Sequence, residues 1–164
     1  MEGAGELIRH EPVEHGVIYS AAGKALYYVR SRPGSPYRVT VPPGKAGLLP
    51  RNVFVHNHPG SESFSEEDIW ILLRHGAREV HAYGPERSFR IVATKRTRRF
   101  VYSSEERGRS ELYAAYRRAV AATTPLFHDL VASDILTEPE GWVAQTHGVV
   151  RVLSARFGFA YMEI

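Results

Sequence analysis

Apolar residues fall in short runs through the first half of the chain and in longer, helically spaced sets through the second. Gly16 to Tyr19 reads as a short strand, Ala21-Ala22-Gly23-Lys24 as a turn, and Ala25 to Arg30 as the returning strand. Residues 31–36 are a loop by their Pro and Gly content. Tyr37 to Val41 alternates as an extended segment, and residues 42–50 form another loop. Val53 to His58 is predicted as a strand. Ser65 then caps a helix from Glu66 to about His75, with Ile69, Leu72 and Leu73 spaced to face a core and Gly76 ending it in a left-handed cap. Glu79 to Tyr83 is a strand stopped by Gly84-Pro85, and Phe89 to Ala93 with Phe100 to Tyr102 suggests a hairpin.

Beyond residue 104 the period changes. Glu105 to Thr123 is predicted helical, burying Leu112, Tyr113, Tyr116, Val120 and Ala121. Pro125 to Leu136 is a further helical or loop segment. Thr137 to Glu140 combines a capping box with an early proline, and opens a helix whose apolar face is Trp142, Val143, Val149, Val150 and Leu153. Gly158 ends it, and Phe159 to Ile164 is a last strand, free in principle to pair between subunits. Strands dominating the first half with helices behind them indicate an α+β, or mixed α/β, domain: a mixed β-sheet packed by helices.

Composition narrows the class. At 164 residues and 43% apolar content the chain suits one domain, residues 1–164, with a core region of about 7–103 and a helical part from about 104. No apolar run approaches 18 residues, and residues 1–14 are polar with no export signal, so a cytoplasmic protein without a membrane span is expected. The absence of cysteine excludes disulfides, thiolate metal sites and a cysteine nucleophile. The net charge of +3 is uneven: residues 86–118 carry ten Lys and Arg against four Glu. Lys95-Arg96-Thr97-Arg98-Arg99 is the densest piece, able to attract nucleic acid or to serve as a solvated hairpin edge.

The chemistry concentrates in Val53-Phe54-Val55-His56-Asn57-His58-Pro59 and the residues after it. On a strand His56 and His58 point the same way, their Cα atoms roughly 6.5 Å apart. Asp68, in the first turn of the next helix and one turn before Leu72, can return as a third ligand. Two imidazoles and a carboxylate leave one position open on a tetrahedral Zn2+ ion, as a catalytic site requires. The plainer alternative is a polar strand face beside an ordinary capping box, in which Asp68 reaches back to Ser65 and competes with a metal. Asn57 faces the other way and reads as structural, bonding the Pro59-Gly60 turn.

His56-Asn57-His58-Pro59 followed by Ser65-x-x-Asp68 resembles the JAMM signature of JAB/MPN zinc metalloproteases, and within them the RadC-like and phage-associated branch. Six residues separate His58 from Ser65, where the usual family spacing is seven. The resemblance is strongest over residues 53–76. It implies a fold related to cytidine deaminases, His56, His58 and Asp68 as zinc ligands, and Ser65 as a donor to the oxyanion of a tetrahedral intermediate. It also implies a general-base glutamate near the first strand. Glu14 and Glu11 are the candidates, and Glu14, just before Val17-Ile18-Tyr19, is the better placed. The other histidines are read as surface or satisfied residues, with His15 of interest beside Glu14.

The resulting expectation is a zinc-dependent metallopeptidase or isopeptidase, acting through zinc-activated water on a protein or peptide, with ubiquitin-like or phage proteins as candidate substrates. Two alternatives stand beside it: a non-catalytic scaffold of the same fold, and a RadC-like nucleic-acid-associated module using residues 95–99. Neither oligomeric state nor substrate is legible from the residues.

Overall fold

The computed structural model describes residues 2–100 and 105–164. Six strands form one mixed sheet: β1 (His15–Tyr19), β2 (Ala25–Arg30), β3 (Val53–Asn57), β4 (Glu79–Tyr83), β5 (Ser88–Val92) and β6 (Ala160–Glu163). Their spatial order is β2-β1-β3-β4-β5-β6. Only β3 and β4 run parallel. The connection between them therefore needs a crossover, which the second helix supplies. The helices are α1 (Glu2–Ile8), α2 (Glu66–His75), α3 (Glu105–Ala132) and α4 (Glu138–Phe157). The α+β architecture expected from the pattern is thus present.

Strand alternation divides the sheet into two faces. Ile18, Phe54, Val80, Ala82, Phe89 and Ile91 join the large core formed with α2, α3 and α4. Val17, Tyr19, Val53, Val55 and Tyr83 face the other way and pack with Ile8 of α1 in a smaller cluster. His56 shares its strand face with Phe54 and so faces the larger, helix-covered side, whereas Asn57 faces the α1 side. No helix among the described residues is long and apolar enough to cross a membrane.

Several local expectations differ from the structure. Of the strand expected at Phe100 to Tyr102, Phe100 closes a short 3-10 turn (Thr97–Phe100), and residues 101–104 lie outside the described residues. β6 pairs antiparallel with β5, so the last strand pairs within the chain. Pro125 does not interrupt α3. Proline removes one backbone bond, to the carbonyl of Ala121, and that residue is exposed to water. The face that α3 buries is Leu112, Ala115, Ala119 and Thr123, leaving Tyr113 about half exposed and Ala121 outside. On α4, Val149, Val150 and Leu153 are buried as expected, but Trp142 is 60% exposed. Residues 37–41 form no strand, and α1 was not visible in the polar N-terminal pattern.

Candidate metal centre

The centre is assembled by two neighbouring elements. β3 carries His56 in its last turn of alternation, and His58 follows one residue past its end. The His58 N–H still bonds the Tyr83 carbonyl at 2.9 Å, which extends the β3–β4 register and keeps both imidazoles on one side. Across the sheet, Gly16 stands opposite His56. A Cβ on Gly16 would lie 2.8 Å from the Phe54 ring. That ring stacks on His56 with centroids 5.2 Å apart, so the missing side chain is what lets the strands close around the first ligand.

Asp68 arrives from α2. Ser65 is the N-cap of that helix, and the reciprocal capping box predicted from the sequence is formed. The competition between cap and metal does not arise, because the two carboxylate oxygens divide the work. Oδ2 accepts from the Ser65 N–H at 2.8 Å and from Ser65 Oγ at 2.6 Å. Oδ1 lies 3.1 Å from His56 Nε2, and Oδ2 is 3.5 Å from His58 Nε2. The two Nε2 atoms are 2.8 Å apart.

These separations fit a metal ion. One ligand atom from each of His56, His58 and Asp68 lies within 4.8 Å of the others, and all three residues are buried. Tetrahedral zinc with bonds of about 2.0–2.1 Å sets its ligand atoms about 3.3 Å from one another, close to the observed distances. The protonation pattern agrees. His58 Nδ1 is 2.9 Å from the Glu62 carbonyl, which can only accept, so Nδ1 carries a hydrogen and Nε2 is the ring atom turned to His56 and Asp68. His56 Nδ1 has no such partner and is buried. The two Nε2 atoms are close enough to share a hydrogen bond, and a metal ion between the rings would take the place of that hydrogen.

The electrostatics follow from that packing. Burial opposes a charge on His58, but the hydrogen bond and attraction from Asp68, helped by Glu14 and the Glu62 carbonyl, hold its pKa up at about 9. Burial likewise opposes ionisation of Asp68, and the two histidines outweigh it, keeping the carboxyl well below its usual range. Asp68 is therefore held ionised, as a ligand carboxylate must be.

Glu14 lies on the same side. Two residues before Gly16 and four before Ile18, it shares their face of β1, and it lines a cavity of about 330 Å³ with His58, Ser65 and Asp68. Its Oε2 accepts the Val39 N–H at 2.7 Å, which fixes the carboxylate. Burial raises its pKa, with the positive charge on His56 and His58 pulling the other way. Glu11 is exposed, its Oε2 3.7 Å from His15 Nε2, and does not line that cavity. His15 itself pairs with Tyr28. Ser65 is exposed to the cavity, although its hydroxyl hydrogen is engaged by Asp68.

Asn57 has a larger role than the turn contact expected of it. Its side chain accepts the His15 N–H at 2.7 Å and donates to the carbonyls of Glu11 and Val13, both at 3.1 Å. The residue between the two histidines thus holds, from the opposite face, the segment that carries Glu14. No sequence signal marks such partners, because they are backbone groups more than forty positions away. The basic residues Lys95, Arg96, Arg98 and Arg99 are exposed beyond the C-terminal end of α2. Arg98 lines a separate cavity there with Arg51 and Arg78, at the end of the helix opposite Asp68.

The chain matches no protein-family model, and neither the curated proteins nor the solved structures give a significant match, so the reading of this centre rests on its own geometry.

Proposed function

We propose that the protein is a zinc-dependent metallopeptidase or isopeptidase, a hydrolase of the JAMM kind, that cleaves an amide bond in a protein or peptide. The observation that carries this reading is the convergence of His56, His58 and Asp68 in a buried cluster with a conformationally fixed carboxylate, Glu14, on the wall of the same cavity. A His2Asp donor set with nitrogen and oxygen ligands suits zinc and leaves a coordination position free. When bound, the ion supplies Lewis acidity, drawing the pKa of water down toward about 7 and polarising a carbonyl.

The residues divide the remaining work. Glu14 is the general base: it takes a proton from the attacking water and returns it to the leaving amine. Its raised pKa brings it closer to the neutral range where a base is most effective, and its bond to the Val39 N–H keeps it aimed. Ser65 fixes Asp68 through the capping box and, from its exposed position, donates to the developing oxyanion once its hydroxyl turns toward the cavity. The Glu62 carbonyl sets the His58 tautomer. A role for residues 95–99 in holding nucleic acid has only charge and exposure in its favour, and lies apart from this chemistry.

The test is Glu14→Gln. The variant should retain stoichiometric zinc and lose at least a hundredfold in amide hydrolysis, the lower range of general-base contributions. Retained hydrolysis would remove Glu14 from the mechanism. Full zinc occupancy without turnover of any amide by the unmodified chain would leave a metal-binding scaffold.

A further inference from the structure

Two cavities meet over the metal cluster. One, of about 190 Å³, runs toward α4 and is walled by Tyr37, Phe64, Tyr116 and Trp142. The other is the 330 Å³ cavity described above, walled on its outer side by Arg38, Glu66 and Glu67. Both are bordered by Glu14, Tyr37, His58 and Ser65, so they are two arms of one groove with the candidate reaction centre at the junction.

The arms differ chemically. In the first, Trp142 and Tyr37 are 60% and 71% exposed. A tryptophan left largely in water on a helix that buries Val149, Val150 and Leu153 is not there to fill the core. In the second, Arg38 and Arg109 both pair with Glu67, at 3.3 Å and 3.0 Å, leaving a polar, hydrated wall. The aromatic arm is also mechanically tied to the ligand loop. The Ser63 N–H donates to Thr146 Oγ1 of α4 at 3.1 Å, and Ser63 Oγ bonds the Tyr161 hydroxyl of β6 at 2.9 Å. The C-terminal third, which carries no part of the metal cluster, therefore builds one wall of the groove and holds it in register with His58.

Resting on the hydrolase reading, we infer that the substrate is an extended polypeptide segment with a bulky apolar side chain directly flanking the scissile amide, seated against Trp142 and Tyr37. The polar continuation of the segment lies along Arg38, Glu66 and Glu67. A glycine at that flanking position leaves the aromatic arm unfilled and forfeits the apolar burial that anchors the chain.

The probes are N-acetyl-phenylalanine hydroxamate and N-acetyl-glycine hydroxamate, titrated calorimetrically into the full chain with zinc loaded and with zinc removed. The phenylalanyl compound should bind the loaded protein about tenfold more tightly, as partial burial of one aromatic side chain provides. Zinc removal should weaken both compounds and leave the preference in place. Trp142→Ala, a surface substitution on α4, should reduce the preference to threefold or less while leaving the glycyl compound unchanged. Equal affinity for the two compounds, no binding of the phenylalanyl compound to either form, or a preference untouched by Trp142→Ala overturns the inference. Binding that retains the preference but does not respond to zinc overturns the metal reading and leaves the groove standing.

Discussion

Replacing Asn57 by alanine tests whether the face opposite the metal cluster organises the site. The side chain is fully buried and makes three hydrogen bonds to the backbone of residues 11–15. The His15 N–H, in a buried residue, would lose its Asn57 acceptor, at about 1–3 kcal/mol. Glu11 is exposed and Val13 half-buried, so water can replace part of what their carbonyls lose, at about 0.5–1 kcal/mol each. A destabilisation of about 3 kcal/mol follows, which for a chain of this length lowers Tm by about 10 °C. Calorimetric melting measures that shift. At 20 °C, where the fold persists, zinc should still bind, because its three ligands come from β3, the residue after it, and α2. Amide hydrolysis should fall at least tenfold as Glu14 loses its fixed position. A Tm change under about 3 °C would show that the three bonds are replaced by water at no cost. Loss of zinc with stability intact would show that Asn57 shapes the ligands rather than the base.

Zinc at a hundred times its Kd should stabilise the protein by about 2.7 kcal/mol, a rise in Tm of about 8 °C; His58→Ala and Asp68→Ala should abolish the shift, and chelation should reverse it in the unmodified chain. His147 predicts a pH effect away from the metal: burial, with Arg87 and Arg151 nearby, lowers its pKa to about 4, while Glu163 opposes. Since the folded value lies below the ordinary 6.5, the unfolded chain binds a proton first, so this contribution is complete above pH 6.5 and is lost as the pH falls to about 4. The full shift corresponds to about 3 kcal/mol, reduced to about 1–2 kcal/mol because the ring is only half-buried. Urea denaturation across that window should show the loss, and His147→Gln should flatten it; an unchanged pH slope in the variant would assign the loss to other groups.

The amino-acid sequence by itself determined the parts of this protein that depend on neighbours a few residues away. Period-two alternation put His56 and His58 on one side of β3, the Ser65–Asp68 capping box fixed the start of α2, and Gly76, at φ +64°, fixed its end. Those signals made the candidate ligand set legible, while the His58 N–H bond to the Tyr83 carbonyl and the close approach at Gly16 complete the convergence. Glu14 was singled out by the resemblance, which implies a glutamate just before the first strand. Tertiary structure decided what no local signal encodes. β6 completes the sheet beside β5, Pro125 sits within α3 on an exposed stretch, and Trp142 lines a groove instead of the core. Asn57 binds a backbone segment that the sequence places more than forty residues away. The physical reason is one of range. Capping, alternation and turn preference act within a turn or a pleat, whereas strand partnership and the partners of buried polar groups are settled by which arrangement leaves the least apolar surface in water and the fewest polar atoms unpaired across the whole molecule.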